Sequence, residues 1–258
     1  MQNQTINNHQ GHWILAKLGK KVLRPGGKEL TLKLIDYLKI NSNDDVVELA
    51  PGLGFTAAIT LKKQPRTYTG VELNEEAANI LRKKIKHDQA NIIVGNATET
   101  GLITNTITKV YGEAMLTMQA DHIKSEIIKE AYRILKKGGL YGIHELCLHP
   151  DTITQETKAE IQKELAKKSQ VNTRPLTVAE WSNLLIKEGF KIHQTETSPM
   201  HLLELKRMID DEGFYGTLKI IFNILTHPEE RKRALALRDI FRKYEQYLNA
   251  VIIVAEKE

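Results

Sequence analysis

The stretch Asp45-Val46-Val47-Glu48-Leu49-Ala50-Pro51-Gly52-Leu53-Gly54-Phe55-Thr56 constrains this chain more than any other. It reads as a short buried strand ending on an acid, Glu48, then a tight turn, then a helix start. Gly52 and Gly54 carry no Cβ, so the backbone can turn sharply there and approach a ligand closely. The helix expected over Phe55–Lys63 offers free N–H donors at its start. A second strand, Tyr68–Leu73, carries the acid Glu72 twenty residues after Gly52. Strand, glycine loop, helix, strand and acid together lay out a site for an adenosine-containing ligand.

The alternation continues. Asn74 can cap a helix that has Glu75 and Glu76 in its first turn, where acids favour the helix dipole. Strands are expected at Asn91–Val94, Thr108–Gly112 and Leu140–Leu146, with a helix over Asp121–Leu135. This order predicts a parallel sheet with helices on both faces. After Pro150 the rhythm changes. Thr177-Val178-Ala179-Glu180 is a capping-box pattern, strands follow at Phe190–Thr197 and Ala250–Ala255, and three helices are expected between them (Leu202–Glu212, Tyr215–Leu225, Glu229–Leu248). The expected fold class is α/β: a Rossmann-like, seven-stranded, mostly parallel sheet with an antiparallel last strand and a helical insertion between strands 6 and 7. Residues 1–40, with helices over Trp13–Val22 and Lys28–Ile40, are expected to form an N-terminal lid; 41–198 plus 249–258 the core; 199–248 a helical cap.

Four segments then carry a resemblance: Glu48–Gly54, Val71-Glu72-Leu73, Gly95-Asn96-Ala97-Thr98 and Leu135-Lys136-Lys137-Gly138-Gly139. In order and spacing they resemble the motifs of class I S-adenosylmethionine-dependent methyltransferases, and most of all the small-molecule branch that includes quinone-biosynthesis enzymes. The resemblance covers residues 28–198. It implies S-adenosyl-L-methionine as cofactor, with Glu48, Ala50, Gly52 and Gly54 around its methionine part. Glu72, with Leu73, would take the ribose hydroxyls; Asn96 and Ala97 would meet the adenine edge; Glu113 and Ala114 would lie near the methyl group. Strand-end carboxylates suit paired hydroxyls and a cationic ligand. Two positions depart from the family pattern: Ala50 stands where Gly is usual, and Asn96 where Asp is usual. Asn can still accept from an adenine amino group. The plain structural readings are a surface acid for Glu72 and a turn residue for Asn96. Gly52–Ala57 also satisfies the Gly-x-Gly-x-x-Ala of a nicotinamide dehydrogenase; the acid Glu48, a preceding helix and a single such unit weigh against it.

Methyl transfer is an in-line displacement that requires alignment above all. Candidate catalytic residues are His144 and Glu113; candidate acceptor contacts are Met115, Met118, Gln119, Glu145, Phe214 and Tyr215. His144 reads either as a general base or as a strand histidine holding a loop carbonyl. Glu145 alternates to the other side of a regular strand. The run His144–His149 misses metal-ligand spacing, so no metal is expected. Arg24-Pro25-Gly26-Gly27 is either a lid whose Arg24 pairs with the cofactor carboxylate or a plain turn.

The net charge of +5 comes with Lys and Glu intermixed, which reads as a solvated surface, so nucleic acid is not the expected partner. The absence of an Asn-Pro-Pro-Tyr or Asp-Pro-Pro-Tyr tetrad after the fourth strand also argues against nucleic-acid amino-methylation. Arg231–Lys243 is nonetheless basic, with Leu237, Ile240, Phe241, Tyr244 and Leu248 on one face; it reads as a cap with a solvated outer side, or as a surface for lipid or nucleic acid. The apolar residues Phe214–Leu225 either cover the pocket mouth or meet a second copy, as in a homodimer. No apolar run is long enough to span a membrane. A single Cys147 and a polar N-terminus without an apolar leader lead to the expectation of a cytoplasmic protein. The expected function is methyl transfer from S-adenosylmethionine to a small apolar or aromatic molecule. An RNA methyltransferase using the basic helix and a non-catalytic cofactor-binding protein are the alternatives.

Overall fold

The computed structural model describes residues 15, 17–20, 24–200 and 205–258. Half of the helix expected over Trp13–Val22 falls outside the described residues; of the rest, Leu15 and Lys17 are helical and Leu18–Lys20 are not. The elements run α1 (Gly27–Leu38), β1 (Asp45–Leu49), α2 (Phe55–Leu61), β2 (Thr67–Glu72), α3 (Glu75–Lys84), β3 (Ala90–Val94), β4 (Ile107–Glu113), α4 (Asp121–Ile134) and β5 (Leu135–Leu148). They continue with α5 (Gln155–Ser169), β6 (Leu176–Thr177), α6 (Val178–Lys187), β7 (Phe190–Pro199), α7 (Leu205–Thr226), α8 (Pro228–Lys243) and β8 (Leu248–Lys257).

The sheet order is β3-β2-β1-β4-β5-β8-β7, with the two-residue β6 pairing onto the end of β5. β8 runs antiparallel to both neighbours, so the expected reversed last strand is present, while β6 is an eighth strand too short to be read from periodicity. β8 is buried on both faces, which is why Ala250–Ala255 is a continuous apolar run. On one face α1, α2 and α3 bring Leu30, Leu34, Leu38, Ala57, Ala78 and Leu81 onto the sheet. On the other, α4 and α6 bring Ile127, Ile128, Ala131, Trp181 and Leu185. α1 thus packs flat on β5 and β8 as a layer of the core. A third cluster joins Leu15, Leu18, Leu146, Leu165, Met200, Ala234 and Ile240 at the C-terminal ends of the strands. There α8 packs on α5 and α7 packs on α8, forming a helical layer over the strand ends.

Local signals account for the boundaries. Asn74 Oδ1 accepts from Ala77 N at 2.9 Å at the start of α3. Thr177 and Glu180 form the expected capping box at α6. The helices expected over Leu202–Glu212 and Tyr215–Leu225 run as one element, Leu205–Thr226, broken at Gly213, whose φ of 74° and ψ of 171° leave the helical path; positions 202–204 lie outside the described residues.

Candidate active site

A cavity of about 850 Å³ opens where β1, β2 and β4 end, and it extends under the helical layer. Its first wall is the loop after β1. Ala50 holds φ 55°, Gly52 φ 53° and Gly54 φ 75°, so three left-handed residues fold the loop back on itself. The two glycines are required for different reasons. A Cβ on Gly54 would come within 2.3 Å of Leu81, whereas one on Gly52 would meet no protein atom within 4 Å and would project into open space.

Three carboxylates at the ends of β1, β2 and β4 face this space, each treated differently by its surroundings. Glu72 Oε2 accepts from Gly52 N and Oε1 from Asn74 N, both at 3.0 Å. Burial raises its pKa, and these backbone donors restrain the rise. Glu48 Oε2 accepts from Tyr68 Oη at 2.5 Å and Tyr111 Oη at 2.7 Å. Burial pushes its pKa up to about 7 against the pull of the two hydroxyls. Glu113 is the reverse. Burial alone would raise it, but Arg24 and His144 outweigh burial and hold it at about 2. Arg24 Nη1 lies 2.5 Å from Glu113 Oε2, while Thr31 Oγ1 and His144 Nδ1 each lie 2.7 Å from Oε1; Thr56 Oγ1 also donates to Oε2. The Arg24 guanidinium stacks on Phe55, 4.9 Å from the ring centroid.

The far wall is apolar. Met115 and Met118 from the loop after β4, Leu146, Leu165, Leu237 and Phe241 line it, with Ser169, Asn172, Thr173 and Gln119 at its edge.

The family model for the methyltransferase domain matches residues 47–143. An uncharacterised protein of Haemophilus influenzae is 34% identical over 257 residues, covering 96% of this chain and 98% of that protein. The chain belongs to the class I S-adenosylmethionine-dependent methyltransferases. The crystal structure of MccD protein matches this methyltransferase with a TM-score of 0.71 at 20% identity, over 91% of this chain and 99% of that one. Phosphoethanolamine N-methyltransferase 2 of Haemonchus contortus, solved with phosphomonomethylethanolamine and S-adenosylhomocysteine, matches with a TM-score of 0.72 at 16% identity, over 97% of this chain and 58% of that chain. These two are likenesses of fold.

The methyltransferase brings most of the residues singled out in the sequence to one cavity: Glu48, Ala50, Gly52, Glu72, Leu73, Asn96, Ala97, Glu113, Ala114, Met115, Met118 and Gln119 all line it. Gly54 stands behind the loop, against Leu81. Asn96 is also a turn residue, its Oδ1 accepting from Thr98 N at 3.1 Å.

Four expected site residues are placed elsewhere. His144 is fully buried, with Nδ1 on Glu113 and Nε2 2.5 Å from the Pro25 carbonyl oxygen. Both ring nitrogens are occupied, so it holds the Arg24-Pro25 turn, and the strand-histidine reading fits it. Glu145 faces the other side of β5, as alternation requires. Its carboxylate accepts from Met115 N, Leu116 N and Thr117 N between 2.8 and 3.0 Å, so it shapes the loop behind the apolar wall. Phe214 and Tyr215 point to solvent because α7 turns its opposite side inward. In their place the sequence reading missed Leu146, Leu165 and the Ser169–Thr173 turn; Leu237 and Phe241 were visible as one apolar face of α8 without a destination. Among the described residues, no group of three or more His, Cys, Asp or Glu is placed to hold a metal ion.

Proposed function

We propose that this methyltransferase transfers a methyl group to a small, largely apolar or aromatic molecule. The observation that carries the reading is the two-sided cavity: carboxylates and a glycine loop at the strand ends, and a wall of Met115, Met118, Leu146, Leu165, Leu237 and Phe241 opposite. The space beside Gly52 and the acids Glu48 and Glu72 fit the cofactor. Glu72 would take the ribose hydroxyls, Glu48 the ammonium of the methionine part, and Asn96 with Ala97 the adenine edge. When bound, S-adenosylmethionine supplies an electrophilic methyl carbon whose bond to sulfur breaks, with the electron pair returning to sulfur, as the acceptor's lone pair bonds to it.

The chain's own residues would position and shield this exchange. The apolar wall orients the acceptor and excludes water. Glu113 is held ionised by Arg24, His144, Thr31 and Thr56, which makes it a poor base, and with its charge compensated by Arg24 it fixes the turn that borders the site. Among the described strand-end acids Glu113 is held ionised and Glu48 and Glu72 are assigned to the cofactor, which supports acceptors whose nucleophilic atom is already electron-rich. Among the described lining residues Arg24 is the only Lys, Arg or His, and it is committed to Glu113. That supports an acceptor without a phosphate, unlike the ligand bound by the Haemonchus enzyme. The quinone-type branch suggested by the sequence accords with the same wall.

The test has two arms. Gly52→Val should abolish S-adenosylhomocysteine binding by calorimetry, while Gly101→Val, also at positive φ with no atom within 4 Å of its Cβ, should leave it intact. Equal loss in both would assign the effect to backbone strain. Incubation with methyl-labelled cofactor should then label the organic-solvent extract of cells; label confined to the aqueous extract, or to phosphoethanolamine, overturns the apolar acceptor.

A further inference from the structure

After Gly213, α7 carries apolar residues on two opposite sides. Thr217 and Ile220 face inward and are buried. On the opposite side Phe214, Leu218, Phe222 and Leu225 recur every three or four residues, and Tyr215 flanks them at 86% exposure. Phe222 and Leu225 are each 64% exposed. Such a stripe on a folded surface marks an interaction site. Cations frame it. Lys219 lies on its edge, and Arg231 and Lys232 stand exposed just past the turn into α8. Residues 231–243 carry six bases and one acid. Glu229 and Glu230 sit at the helix start, where the dipole favours them.

We propose that the α7–α8 hairpin docks this methyltransferase on an anionic lipid surface. The aromatic and aliphatic side chains of α7 enter the boundary between headgroups and acyl chains, and Lys219, Arg231 and Lys232 meet the lipid phosphates. The docking is peripheral, since among the described residues no helix is long and apolar enough to cross a membrane. A second copy of the chain fits the stripe less well. Lys219 lies midway between Phe214 and Leu225, so a two-fold antiparallel pairing of α7 with its copy would set Lys219 beside its own counterpart. RNA would use the cations but leave the aliphatic side chains in water.

The hairpin's other side completes the cavity, where Leu237 and Phe241 of α8 form part of the acceptor wall. One hairpin therefore offers its outer side to lipid and its inner side to the acceptor. The consequence that the acceptor is drawn from the bilayer rests on the apolar-acceptor reading above; the docking itself does not.

Flotation with phosphatidylcholine vesicles, with and without phosphatidylglycerol, tests the docking, using the full chain. The wild type should float with the anionic vesicles and largely stay behind with the neutral ones. The Phe222→Asp, Leu225→Asp double variant should lose about tenfold or more of its partition, and Arg231→Glu with Lys232→Glu should erase the preference for anionic lipid. Both pairs are exposed, so melting temperature and S-adenosylhomocysteine binding should stay at wild-type values. A wild type that binds S-adenosylhomocysteine but does not float with either vesicle overturns the proposal. So does retention by transfer RNA without vesicle binding, or a dimer in sedimentation that Phe222→Asp dissolves. Flotation without S-adenosylhomocysteine binding would leave the docking standing and sink the cofactor assignment instead.

Discussion

β1 and β4 are neighbours in the sheet, and each brings a buried glutamate to the same cavity. The two are poised in opposite ways. Glu113, at the end of β4, meets a guanidinium, an imidazole and two hydroxyls, and its pKa is held at about 2 despite burial. Glu48, inside β1, meets only the hydroxyls of Tyr68 and Tyr111, and burial carries its pKa to about 7. The difference is the presence of a resident cation. Glu113 has Arg24 within the fold, so its charge is already compensated. Glu48 has none in contact, and on the proposed reading it is the carboxylate that receives the cofactor's ammonium. Adjacent strands thus differ: one glutamate locks the Arg24-Pro25 turn, and the other, on that reading, takes a ligand.

The largest expected effect breaks the locked side. Glu113→Gln should strand the Arg24 guanidinium and lower stability by about 3 kcal/mol, measured by urea unfolding at neutral pH. A loss under 1 kcal/mol would mean that the pair contributes little and the comparison fails. The same difference appears in pH dependence. Between the unfolded value of 4.5 and about 2, the unfolded chain takes up the Glu113 proton first, so stability falls as pH drops through that window. For Glu48 the sign reverses. Between 4.5 and about 7 the native state keeps a proton that the unfolded chain has released, so stability falls as pH rises.

Glu48→Gln sharpens this. It should stabilise the ligand-free protein at pH 8 by about 2 kcal/mol, since the amide carries no charge to bury. The same variant should weaken cofactor binding and flatten its pH dependence, whereas wild-type affinity should rise with pH up to about 7. Thermal melting and calorimetry at pH 6 and pH 8 read both. A wild-type affinity indifferent to pH would remove Glu48 from the ammonium. Next in size, Glu72→Ala should cost about 2 kcal/mol of cofactor binding, roughly thirtyfold in Kd, with the fold intact. An unchanged Kd ends its assignment to the ribose. The smallest effect belongs to the apolar wall: Phe241→Ala should raise KM for the acceptor by about tenfold while sparing cofactor affinity. If kcat falls instead and KM holds, the side chain aligns the acceptor rather than merely holding it.

What could be read from the sequence follows from how local each signal is. The β1 loop, the Asn74 cap and the Thr177–Glu180 capping box are written in neighbouring residues, and the structure places them as read. The final strand was legible from the apolar run at Ala250–Ala255, and its reversal from two strands joined late in the chain without the usual crossover. The pairing of Arg24 with Glu113 spans 89 positions, and nothing local announces it. His144 and Glu145 illustrate the limit more sharply. Alternation on a strand correctly sets them on opposite sides, but which partners wait there depends on α1 and on the loop after β4. Phe214 and Tyr215 were misplaced for a different reason: the apolar residues after Gly213 fall on both sides of the helix, so periodicity does not say which side is buried. β6 was missed because two residues make no pattern.

The position of β8 has a consequence for how the molecule is made. β7 pairs only with β8, and β8 alone joins it to β5. Until residues 248–257 leave the ribosome, the half of the sheet bearing β7 has no partner, and Leu140–Leu148 presents an open edge on one side. Among the described residues, the strand latest in the chain is the keystone of the arch. A nascent chain must carry that exposed edge until translation supplies it, which makes this stretch the interval in which chaperone protection matters most.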